Sequence, residues 1–132
     1  KKEKFMLPLV MDLTNPSPAI GWHNQERDSL KARGPVDLVM ALALIHHMAI
    51  ANNVPLREVA RSFAELGEYL IIEFVPKQDS QVVRLLSSRL DIFPDYTIDG
   101  FKKAFAEYYT IMDEKPVVGS ERTLFLMKRQ SA

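Results

Sequence analysis

Two adjacent histidines, His46 and His47, close a long apolar run that begins after Asp37. Histidine titrates near neutral pH, so either one is a candidate general base. Residues 38 to 45 between them and Asp37 are all apolar, which suits a strand buried on both faces of a parallel sheet. In such sheets ligands bind at the carboxyl ends of the strands. The polar residues stand at that end, together with Leu44. A metal centre is not expected. Neighbouring residues of a strand point to opposite faces, and His23 is the one other histidine.

Glu73 breaks a second apolar run, Tyr69 to Val75, near its end. A carboxylate there needs a backbone amide, an arginine or a substrate as partner. Asp12 ends a third run, Phe5 to Met11, just before the Pro-rich loop Asn15-Pro-Ser-Pro18. A carboxylate in that position can accept hydrogen bonds from a ligand amino group or from ribose hydroxyls, or it can cap its own loop. Arg84, Arg89, Asp91, Asp95 and Arg122 read as charge pairs around one loop. The five glycines are isolated, and neither a phosphate-binding loop nor a nucleophile elbow is present.

The elements that would carry these residues follow from periodicity. Strands are predicted at Phe5–Asp12, Asp37–Ile45, Tyr69–Val75, Tyr109–Val118 and Thr123–Lys128. Pro8 assigns the first of them to an edge. Trp22 to Arg33 is helix-compatible, and Ala49 to Val54 is a connector compatible with a helical start. Pro55 to Leu66 carries Leu56, Val59, Ala60, Phe63 and Leu66 on one helical face. Asp79 caps a helix reaching Ser88, and Thr97 caps another with Ile98, Phe101, Phe105 and Tyr108 inward. The fold class is therefore α/β, a mostly parallel sheet with helices on its faces, ending in an antiparallel hairpin.

Composition narrows the function. Seventeen basic and seventeen acidic residues give a formal net charge of zero, which speaks against a nucleic-acid binder. There is no cysteine, so disulfides and thiolate metal sites are excluded. No apolar stretch approaches the roughly 20 residues of a membrane span, and Pro8, Asp12 and Asn15 interrupt any signal-peptide pattern. A cytoplasmic single domain over residues 1–132 is the expectation.

Pro8-Leu-Val-Met-Asp-Leu13, Asp37 to His47, Gly67 to Pro76 and Ser120 to Leu126, in that order, resemble the carboxyl-terminal half of class I S-adenosylmethionine-dependent methyltransferases. Asn15 to Trp22 and Asp91 to Thr97 are similar, more narrowly, to the nodulation-related NoeA-like group. The resemblance implies a partial Rossmann-like sheet holding the third to seventh strands and lacking the first two. It implies that Asp12 contacts the adenine amino group, with Leu13 beside the ring. Leu44 to His47 would lie beside cofactor and substrate, with Glu73 nearer the substrate. His46, His47 and Glu73 are then the candidate bases, for a methyl acceptor the sequence does not identify. The Gly-rich turn and the ribose-binding acid of that family are not in this sequence. The chain alone is therefore expected to bind S-adenosylmethionine weakly or not at all. In the family sheet the fourth strand pairs with the first. An open edge at Asp37 to Ile45 implies homodimerisation. The competing reading is a non-catalytic assembly module.

Overall fold

The computed structural model describes residues 11, 13, 22–24, 29 and 35–131. The strand expected at Phe5–Asp12 and most of the helix expected from Trp22 lie outside them; Trp22–Asn24 forms a short turn in which His23 is left-handed, with a φ of 54°. The elements are β1 (Val36–Ala41), a wide helical turn (His47–Ala51), α1 (Leu56–Leu66), β2 (Gly67–Phe74), α2 (Ser80–Leu86), α3 (Ile98–Phe105), β3 (Tyr109–Pro116) and β4 (Thr123–Arg129).

The four strands form one sheet in the order β1-β2-β4-β3. β1 and β2 run parallel, and β4 runs antiparallel to both of its neighbours. Three strands therefore share one direction and β4 alone is reversed. The expected C-terminal hairpin is present. A mostly parallel sheet, however, reduces among the described residues to one parallel ladder and two antiparallel ones.

One sheet face is the core. Val39 and Ala41 of β1, Leu70, Ile72 and Phe74 of β2, and Phe125 and Met127 of β4 share it in register, under α1 and α3. α1 turns Leu56, Val59, Ala60, Phe63 and Ala64 inward, close to the face its periodicity predicts. α3 contributes Phe101 and Phe105. The Phe101 ring lies 5.0 Å from Phe74, 4.5 Å from Phe105 and 5.1 Å from Phe125, centroid to centroid. Each such pair adds about 0.5–1.5 kcal/mol beyond burial. The opposite face, with Leu38, Met40 and Leu126, is open to solvent.

β1 corrects the expectation of a strand buried on both faces. Val36, Leu38 and Met40 are 45 %, 44 % and 59 % exposed. The strand also stops at Ala41, four residues short of Ile45. The apolar run is split between two elements: its first half belongs to β1, and Ile45 begins the helical spacing continued by Met48 and Ala49, all buried.

Two glycines are set by close approach. A Cβ at Gly67 would lie 2.7 Å from Val39 Cγ2, so this residue lets β2 seat against β1. A Cβ at Gly100 would lie 2.0 Å from the Asp95 carbonyl oxygen, so α3 reaches the 93–97 turn only without a side chain there. Gly100→Ala is expected to destabilise the fold by about 2 kcal/mol through the forced backbone shift, measured as a lower urea midpoint with an unchanged slope.

Candidate functional site

β1 and β2 are parallel neighbours, so their carboxyl ends lie at the same end of the sheet. β4 is reversed, so its first residues lie there too. This brings Ala43 to His47, Glu73 and Arg122 together.

The chain leaves β1 through Ala43, whose φ of 52° is in the left-handed region. Outside glycine that conformation costs roughly 1–2 kcal/mol. It is anchored from β2: the Ala43 amide donates to Glu73 Oε1 at 3.0 Å. Helical turning begins at once, with the His47 and Met48 amides donating to the Leu44 carbonyl at 3.0 and 3.3 Å. The turn is wider than an α-helix, because the Asn52 amide donates to the His47 carbonyl five residues back, at 3.1 Å. The Asn52 side chain donates to the same oxygen at 2.7 Å. Arg89 Nη1 donates to the Ile50 carbonyl at 2.9 Å and closes the far end.

The histidines therefore stand on this helical turn and not on a strand. They do not point to opposite sheet faces; their rings lie side by side, 4.2 Å apart and tilted by 39°. His46 is buried and His47 exposed. His46 Nδ1 is a buried polar atom without a hydrogen-bond partner. Burial lowers the His46 pKa to about 4, assisted by the neighbouring His47 and Arg122 and opposed by Asp79 and Glu73. The imidazole is uncharged at neutral pH.

Glu73, Asp79 and Arg122 form an ionic triad. Arg122 Nη1 donates to Glu73 Oε1 at 2.9 Å, Nε to Asp79 Oδ2 at 2.8 Å and Nη2 to Asp79 Oδ1 at 3.2 Å. The two bonds to Asp79 make a planar fork, the geometry for which arginine is suited. Asp79 also caps α2, accepting from the Gln81 amide at 2.9 Å. The guanidinium holds the Asp79 carboxyl below the usual carboxylate range, and Asp79 first, then Glu73, raises Arg122 further. Two carboxylates face one guanidinium, so the triad is formally anionic.

The predicted site residues divide accordingly. His46, His47 and Glu73 converge on the carboxyl end of the sheet. Leu44 begins the turn and is half-buried against the core, as is Leu13. Asp12 lies outside the described residues. The expected charge pairs around one loop are rearranged. Arg122 bridges to Glu73 and Asp79, Arg89 binds carbonyls, and Asp91 pairs with Lys77 at 2.9 Å. Sequence reading had Asp79 as a cap and missed its second role. The signal for Arg122 was Glu73 itself, a carboxylate in an apolar strand that requires a partner. Among the described residues no group of three or more histidine, aspartate or glutamate side chains is arranged to hold a metal ion. No described helix is long and apolar enough to cross a membrane.

The chain is similar to the nodulation protein NoeA of Rhizobium meliloti (strain 1021), with 44 % identity over 126 residues. The match takes in 96 % of this chain and 26 % of that protein, so the chain spans about a quarter of the relative's length. No protein-family model matches. No solved structure matches.

Proposed function

We propose that the chain is the carboxyl-terminal portion of an S-adenosylmethionine-dependent methyltransferase of the NoeA-like group, carrying the adenine side and the acceptor side of the cleft. The observation that carries this reading is the convergence of Leu44, His46, His47 and Glu73 at the carboxyl ends of two parallel strands, where open α/β sheets take their ligands. The similarity to NoeA agrees with the narrower resemblance. The residues present suit the cofactor in one respect: an anionic triad beside an uncharged imidazole is compatible with a positively charged sulfonium.

S-adenosylmethionine would supply the electrophilic methyl group. Asp12 would accept from the adenine amino group, and Leu13 and Leu44 would pack against the ring and the cleft. Rate in methyl transfer comes largely from alignment of acceptor and methyl group. Exposed His47 is the residue free to take a proton from an acceptor. Buried His46 packs beside it, and Glu73, tied to Arg122 and Ala43, fixes the turn that presents it. None of these 132 residues matches the Gly-rich turn or the ribose-binding acid of that family. Calorimetry on this chain is therefore expected to give no micromolar binding of S-adenosylmethionine, while NoeA is expected to bind it. Micromolar affinity of this chain sinks the division of the cleft; no binding by NoeA sinks the methyltransferase reading.

A second reading, an assembly module, is favoured by the edge of β1. It is unpaired among the described residues, and Val36, Leu38 and Met40 are exposed beside it. Such edges pair with other chains. A homodimer formed here should increase with concentration in light scattering and be lost in Val39→Pro. A strictly monomeric species over a wide concentration range counts against it.

A further inference from the structure

A cleft of about 390 Å³ opens between the start of α1, the 92–96 loop and α3. Its volume is that of a small-molecule site, roughly 300–1,000 Å³. The floor is apolar: Ala49, Leu56 and Tyr96 are buried, and Ala104 is half-buried. The walls are fixed from behind. Tyr96 Oη donates to the Val75 carbonyl at 2.6 Å, and Gly100 sits directly against the Asp95 backbone. Asn53, on the rim, has a φ of 54°, a left-handed conformation that asparagine tolerates.

Four charged side chains line this cleft, and they are not equivalent. Arg57 and Glu107 satisfy each other at 2.6 Å. Asp95 and Lys103 form no ion pair with each other and have no side-chain partner among the described residues. An unpaired carboxylate and an unpaired ammonium thus flank one apolar floor. A ligand that bridges them needs a cationic group, an anionic group and an apolar body. From this we infer that the cleft binds a small zwitterion with a large apolar side chain, an α-amino acid or a close analogue. Its ammonium group lies on Asp95, its carboxylate on Lys103, and its side chain on Tyr96, Leu56 and Ala104. This assignment does not rest on the methyl-transfer reading, since every residue it uses belongs to the cleft.

The test titrates L-tryptophan, L-phenylalanine and L-leucine into the full 132-residue chain, followed by amide NMR shifts at Ala49, Tyr96 and Ala104. At least one should saturate. Tryptamine and indole-3-propionate each lack one charge and should bind at least about tenfold more weakly than L-tryptophan. Asp95→Lys and Lys103→Asp should each weaken binding to a similar degree. Asp95 and Lys103 are exposed, so circular dichroism of these variants should match the parent chain. Equal binding of tryptophan and its two singly charged analogues overturns the proposal. So does the absence of saturable binding by all three amino acids.

Discussion

Arg122→Ala should lower the unfolding free energy by about 3 kcal/mol. The side chain is 20 % exposed, and its partners Glu73 and Asp79 are 12 % and 10 % exposed. Removing one member of a buried ion pair costs about 3–5 kcal/mol, because the other charge stays buried without compensation. Residual solvent contact argues for the lower end, while two stranded carboxylates instead of one argue against a smaller value. Arg122→Lys keeps the charge but cannot make the fork to Asp79 and the bond to Glu73 together, so it should recover less than half of the loss. Urea unfolding followed by circular dichroism measures both. A loss below about 0.5 kcal/mol for Arg122→Ala would place the triad with ordinary surface pairs.

Acidification should produce an effect of similar size through His46. In the folded chain this imidazole takes up a proton near pH 4, against 6.5 when unfolded. The unfolded state therefore binds more protons between those values, and stability rises with pH across that window. Stability is full above about 6.5, falls as the pH drops, and levels off below about 4, a total change of about 3 kcal/mol. His46→Leu, of similar apolar volume, should flatten the window. The Asp79 contribution is separate. Its carboxyl pKa is lowered from 3.8, chiefly by the hydrogen bond from Arg122, so that stability is present above 3.8 and lost only as the pH falls further. Denaturation midpoints at a series of pH values distinguish the two. A parent chain whose stability is constant from pH 7 to about 4 would contradict burial of an uncharged His46.

Local signals were read well from the sequence. The capping side chains of Asp79 and Thr97 begin α2 and α3 as expected, with Thr97 Oγ1 accepting from the Gly100 amide at 3.0 Å. β2, β3 and β4 match their predicted spans to within two residues. The residues that failed are those decided by distant partners. Periodicity cannot divide an unbroken apolar run, and what ends β1 is a turn at Ala43 held by a carboxylate thirty residues later. The Glu73–Arg122 bridge spans forty-nine residues, so a single sequence poses the need for a partner and leaves its identity open. The two histidines lie on a helical turn and not on a strand; helical character was legible from Ala49 onward, whereas the turn begins two residues earlier, at His47.

The position of β4 inside the sheet bears on how the chain comes to be folded. β2 is finished at Phe74, yet the strand that covers its second edge begins at Thr123. On a ribosome, β1, α1 and β2 emerge as a unit whose β2 edge stays unpaired while about fifty further residues are made, several seconds at ordinary elongation rates. Pairing across that separation is slow because the loop must close before any contact rewards it. The nascent protein thus carries an apolar strand, Tyr69 to Phe74, whose second edge stays open through this interval.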